Sequence, residues 1–179
     1  MGRLDPVIPP GDAVEDAKAY LRIDHADEDA LLSSLIASAI RGCEGFTGQV
    51  LLRRGFVQRI GVRSDWTRLS PTPVVSVTGV TGIPVEGATF LLPVGAYAVD
   101  IDGNGDGWVR VTAPGAAGRV DVAGIAGLSS DWGGVPEALR QGVIRLASHL
   151  YAVRDAPDDP GPPAAVAALW RPWRRMRLG

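Results

Sequence analysis

Residues 27–48 read DEDALLSSLIASAIRGCEGFTG, and the rest of the chain is organised around this run. Leu31, Leu32, Leu35, Ile36, Ala39, Ile40, Cys43 and Phe46 recur at three- and four-residue steps. That spacing lays one apolar stripe along a helix. Asp27, Glu28 and Asp29 stand at its start, where negative charge meets the positive end of the helix dipole. Gly48 stands just past its end, suited to the left-handed residue that often closes a helix. The pattern predicts a helix over 27–46. Its apolar stripe has to be buried against other elements.

Two further helices are available as partners. Upstream, Asp12 followed by Glu15 fits a capping box, and Val14, Ala17 and Leu21 share one face, which predicts a helix over 12–22. Downstream, Gly133, Gly134 and Pro136 lead into Leu139, Val143, Leu146, Ala147, Leu150 and Tyr151, which predicts a helix over 136–154. Between 51 and 126 the period drops to two. Phe56, Gln58, Ile60 and Val62 alternate, as do Tyr97, Val99 and Ile101, while Val75, Val77 and Val80 and then Val120, Val122 and Ile125 complete the series. Glycine and proline punctuate these runs, so the segment reads as five or six short antiparallel strands. The expectation is an α+β protein: a helical core of two N-terminal helices and one long C-terminal helix, with an inserted antiparallel β region. Residues 1–155 form that core.

After it, residues 155–163 read DAPDDPGPP, four prolines in nine, which suits neither helix nor central strand. The segment predicts an extended spacer. Residues 156–179 are then a linker and a C-terminal arm. Residues 164–179 hold four arginines, two tryptophans and no acidic side chain. Trp and Arg are enriched where interfaces concentrate their binding energy. An arm held off its own domain by a proline spacer is expected to bury Trp170 and Trp173 against a partner.

Composition narrows the function classes. The chain has 179 residues, 46% hydrophobic and 21% charged, with a formal net charge of −2. This suits one globular domain with extensions and gives no global electrostatic case for nucleic acid or membrane. Lys18 is the only lysine among 18 basic residues, a usage that points to a GC-rich coding bias. Cys43 is the only cysteine, so no internal disulfide forms. No run is long and apolar enough for a transmembrane helix, and the first residues lack the apolar segment of a secretory signal. Synthesis in a bacterial cytoplasm is expected, with no membrane partner.

Candidate chemistry is sparse. His25 lies in the acidic stretch and His149 on the last helix, with no nucleophile motif such as G-x-S-x-G to serve. Cys43 lies on the apolar stripe and reads as a small buried hydrophobe. Residues 100–107 read DIDGNGDG, which matches the first positions of a calcium loop. Asp100, Asp102 and Asn104 are thus weak metal candidates. Val111 stands where that loop needs its bidentate glutamate, and Asn-Gly is also hairpin-turn chemistry. The hairpin tip is the stronger reading. No phosphate-binding G-K-[ST] is present. The expectation is no enzyme activity and no cofactor. A small nucleic-acid-binding module using the arginine-rich tail is the alternative.

Five phrases in order carry a resemblance. They are Leu21-Arg22 with Asp24 ahead of the acidic helix start, Glu44 with Thr47-Gly48, the stretch Ser70–Val77, Val120–Gly124, and the last helix from Val135 to Arg154. Over about residues 13–175 the chain resembles the head–tail connector (adaptor) proteins of long-tailed phages and gene transfer agents. The resemblance implies a structural protein that forms a ring, usually of twelve copies, between the portal and a tail-side stopper or head-completion protein. DNA would pass through its channel without sequence-specific contact. It also implies that the C-terminal arm contacts the portal, through Trp170, Arg171, Trp173, Arg174, Arg175 and Arg177.

Overall fold

A computed structural model of the chain describes residues 2–153 and 163–175. The chain divides into two compact units. One holds Val7–Leu52 and Ser129–Gly179 and is helical; the other holds Met1–Pro6 and Arg53–Leu128 and is built of strands. The residues expected to form the core, 1–155, contribute to both units. The β insertion has its own interior, and residues after the spacer belong with the helices.

In the helical unit, α1 is Gly11–Leu21, α2 is Asp29–Thr47, α3 is Glu137–Ala152 and α4 is Ala164–Trp170. α2 and α3 pack antiparallel: the Tyr151 hydroxyl near the end of α3 donates to Glu28 Oε2 at the start of α2, at 2.5 Å. The expected stripe is the buried one. Leu32, Ile36, Ala39, Ile40 and Cys43 of α2 meet Leu139, Val143 and Ala147 of α3, all with no measurable exposure. Each such leucine or isoleucine contributes about 1.5–3 kcal/mol by leaving water. α2 ends as expected, with Gly48 at φ 72° and its N–H donating to Glu44 O at 2.8 Å.

The start of α1 differs from the capping-box expectation. Pro10, not Asp12, is the cap residue, and no side chain caps the helix. Proline fixes φ near −65°, so Pro10 at φ −68° already holds the extended cap conformation and the first turn begins beside it. Asp12 falls inside that turn, where its carboxylate accepts from Ala13 N at 3.1 Å. α1 closes on Arg22 in the left-handed region at φ 60°, and the Ile23 N–H reaches Lys18 O at 3.0 Å.

In the strand unit, β1 is Gly2–Leu4, β2 Arg54–Gly61, β3 Thr67–Arg68, β4 Val74–Pro84, β5 Phe90–Leu91, β6 Tyr97–Ile101, β7 Gly107–Val111 and β8 Ala117–Ala126. They form a five-stranded sheet ordered β1-β2-β8-β4-β5 and a three-stranded sheet ordered β3-β7-β6, with every pairing antiparallel. β2 and β8 pair without slippage, and Phe56, Ile60, Val120 and Val122 all turn inward. β4 slips register between Val74 and Ser76 and between Val77 and Gly79, so strict alternation fails there. Val75 consequently faces solvent at 40% exposure while Val80 is fully buried.

Candidate assembly surfaces

The C-terminal segment places Trp170, expected against a partner, inside its own unit. α4 lies against α3 and α2 of its own unit. Trp170 is 1% exposed, and its indole Nε1 donates to Leu139 O at 3.4 Å. Its ring stands 5.9 Å from that of Phe46, at 54°. Val166, one helical turn earlier, is also 1% exposed. Gly142 makes the slot: a Cβ there would overlap the indole, with Trp170 Cε2 at 2.7 Å and Cδ1 at 2.8 Å. Two hydrogen bonds then hold the following turn to the end of α2. Gln49 Nε2 donates to Trp173 O at 2.6 Å, and Arg175 N to Thr47 O at 2.9 Å.

Trp170 is thus an internal anchor and presents no surface to a partner in this structure. The slot is not legible from spacing, because a glycine within a helix carries no sign of the distant side chain it makes room for, as Gly142 does for Trp170. Trp173 is half-buried, and Arg175 likewise. Arg171 and Arg174 are exposed, the latter with its guanidinium carbon 5.8 Å from the Phe46 ring centre. Arg177 and most of the proline spacer lie outside the described residues.

The DIDGNGDG loop is the tip of the β6–β7 hairpin. Asp102 Oδ1 accepts from Asn104 N at 2.8 Å and from Asp106 N at 2.9 Å, which closes the turn. Asp106, outside the candidate metal set, pairs with Arg68 at 2.7 Å and accepts from the Thr72 hydroxyl at 3.0 Å. Gly105 sits at φ 78°, pressed so closely on Pro73 that a Cβ would collide with it, and Val74 N donates to Gly105 O at 2.7 Å. The Asp102 carboxylate is engaged in closing the turn, and that of Asp106 in bracing the hairpin against β3 and the segment ahead of β4. Asp100 and Asn104 lie exposed on the same hairpin. Among the described residues no group of three or more His, Cys, Asp or Glu side chains is placed to hold a metal ion.

The remaining candidates separate. His25 is exposed beside Asp27, 3.6 Å away, and His149 is partly buried on α3. Cys43 is fully buried, and desolvation pushes its thiol well above the ordinary range, so it stays protonated. Lys18 lies buried against Asp29 at 2.9 Å, and that contact raises its pKa. These side chains do not converge on a cleft. No helix of the described chain is long and apolar enough to cross a membrane.

What the described surface offers is two different exposed faces: the arginines that follow α4, and the solvent side of the five-stranded sheet. Residues 12–83 match the family described as phage gp6-like head–tail connector protein. The connector resemblance holds. Likeness to solved structures extends past that segment. The fold matches a chain in the neck of an empty gene transfer agent particle, solved with C6 symmetry, at TM-score 0.80 and 26% identity, covering 99% of this chain and 97% of that one. It matches a chain in the virion of a native gene transfer agent particle at TM-score 0.75 and 28% identity, with the same coverage. A chain in the neck of a native particle, solved with C12 symmetry, matches at TM-score 0.74 and 27% identity, covering 98% and 97%. No curated protein matches the chain.

Proposed function

We propose that this connector-like chain is a structural head–tail adaptor. It forms a ring, of twelve copies, between the portal and the tail-side completion proteins of a phage-like particle, and continues the DNA channel. The observation that carries the reading is the match over nearly the whole chain to chains of gene transfer agent particles, two of them from necks solved with rotational symmetry. The family match over 12–83 supports it independently.

The arm takes part through its arginines. Trp170 fixes the docked segment, and Arg171, Arg174 and Arg175 carry charge to an acidic surface of the portal. Arginine suits this role because its planar fork pairs carboxylates bidentately. Producing the full chain with its cognate portal, and imaging the complex by electron microscopy, tests the reading. A ring docked on the portal is expected. A chain that stays monomeric beside an intact portal ring defeats it. Arg171→Ala with Arg174→Ala should weaken docking without unfolding the chain. Binding to duplex DNA whose logarithm falls linearly with that of salt would instead favour the nucleic-acid reading.

A further inference from the structure

In the strand unit, β2 and β8 bury one side through Phe56, Ile60, Val120 and Val122, and their register fixes what the other side shows. Arg3 pairs with Val57, Arg59 with Asp121 and Gly61 with Arg119, so these residues share the solvent side of the sheet. They line an open groove of about 570 Å³, in which Asp121 is the one acidic side chain among the described residues. Arg59 and Asp121 pair at 2.8 Å. Arg3 and Arg119, both exposed, are left as uncompensated charge on the groove. Val85 is 94% exposed, and its Cγ2 lies 4.0 Å from the place a Cβ on Gly118 would take. The patch is basic, with an aliphatic side chain beside Arg119.

The helical unit carries the converse pattern. Between α1 and α2, Asp24, Ala26 and Asp27 are exposed, and so are Ala30 and Leu31 in the first turn of α2. Residues 15–31 set Glu15, Asp16, Asp24, Asp27, Glu28 and Asp29 against Lys18 and Arg22. Lys18 is already held by Asp29 at 2.9 Å. Asp27 is 90% exposed, with the His25 ring 3.6 Å away. This patch is acidic, with an aliphatic side chain, Leu31, one helical turn from Asp27.

A closed ring requires a heterologous contact, in which two unlike patches of one chain fit each other. These two patches belong to different units and carry opposite charge. Either one facing its own twin across a two-fold axis would set like charges together, which disfavours a closed dimer through them. We propose that the turn between α1 and α2 of one copy seats on the arginine side of the sheet in the next. Asp24 and Asp27 then face Arg3 and Arg119, and Leu31 covers Val85. This rests on the ring reading above and gives that ring its contact from copy to copy.

The test uses the full chain assembled on its cognate portal. Arg3→Glu with Arg119→Glu forms one set of substitutions, and Asp24→Arg with Asp27→Arg the other. All four positions are exposed, so melting temperatures should hold. Each set alone is expected to lower incorporation about tenfold, the scale of two exposed ion pairs turned repulsive, and the two sets combined to restore it. Recovery is the outcome that contact of the sheet with the portal, a tail-side protein or DNA does not give. No loss from either set, or loss from both without recovery in combination, overturns the contact. Arg119→Cys with Asp27→Cys and a short bis-maleimide then reads the geometry, and Cys43, with no exposure, stays silent. The double variant should give a ladder beyond the dimer, and each single variant no coupling. Coupling that stops at the dimer, or closes within one copy, overturns the proposal. Normal rings of the unmodified chain with neither ladder nor recovery remove the contact and leave the ring reading standing. If the unmodified chain leaves the portal bare, both fall.

Discussion

At the scale of single residues, two glycines in helices make opposite predictions. Gly45 of α2 has nothing within 4 Å of the place a Cβ would take. Glycine in a helix interior costs roughly 0.5–1 kcal/mol relative to alanine, so Gly45→Ala should raise the melting temperature slightly. At Gly142 the same change drives a methyl group into the Trp170 indole. Gly142→Ala should lower the melting temperature or release α4, seen as a red shift of tryptophan fluorescence. A second residue-scale prediction concerns Trp132, which is 1% exposed and donates its indole N–H to Asp16 Oδ2 at 2.8 Å. Asp16→Ala strands that buried donor, at a cost of about 1–3 kcal/mol. Chemical denaturation should show the midpoint falling with an unchanged slope. Asp16 is itself exposed, so a loss of this size would identify the hydrogen bond rather than packing.

At the scale of elements, the pairing of β2 with β8 carries an ion pair whose pH response has a defined sign. The hydrogen bond from Arg59 holds the Asp121 carboxyl below the usual carboxylate range. A group whose folded pKa is lowered stabilises the fold above its unfolded value of about 4, and that contribution disappears as pH falls through the folded value. Melting temperature should therefore drop between about pH 4 and lower pH partly through this pair, and Asp121→Asn should flatten that part of the curve. Arg59 is more than half exposed, so the effect is modest and weakens with salt. Asp121→Asn with an unaltered acid limb would assign the drop to other carboxylates. The elements themselves were legible to different degrees. The long helices were readable because a dozen or more residues repeat one period: α2 and α3 start and end within two residues of expectation. β2, β6 and β8 were readable from alternation. β1, β3 and β5 were not, because two or three residues carry no period. They exist through pairing with strands distant in sequence. Which of Val75, Val77 and Val80 turns inward could not be told from spacing, because a register slip in β4 leaves no mark in the sequence. The DIDGNGDG turn was legible as a hairpin from its glycines and asparagine, whereas the brace from Asp106 to Arg68 and Thr72 depends on three segments meeting.

At the scale of the whole molecule, class and resemblance were legible in the sequence, and the burial of Trp170 in its own unit was not. A spacer of four prolines in nine residues pointed to tryptophans buried against a partner. Spacers constrain reach, however, and the decision belongs to what the far end can bury. Here the far end carries Val166 and Trp170, and the helical unit holds a slot shaped by Gly142, Leu139 and Phe46. A seven-residue helix such as α4 would not persist alone in water. Its order therefore comes from docking, and docking in turn covers the surface of α2 and α3 beneath it. A chain ending at Asp155 is then not a neutral truncation. It loses two fully buried side chains, and replacing a buried Phe or Trp by alanine already costs about 3–5 kcal/mol. The truncated chain should melt several degrees lower, and the amides of α2 and α3 nearest Phe46 and Gly142 should exchange faster with deuterium. Trp170→Ala should reproduce most of the loss while keeping every arginine of the arm. That variant separates two roles the arm combines. If it lowers stability and spares portal docking, the anchor serves the fold alone. If it lowers both, the docked helix is what presents Arg171 and Arg174, and a truncation that neither destabilised the chain nor changed its exchange would show that the slot contributes nothing.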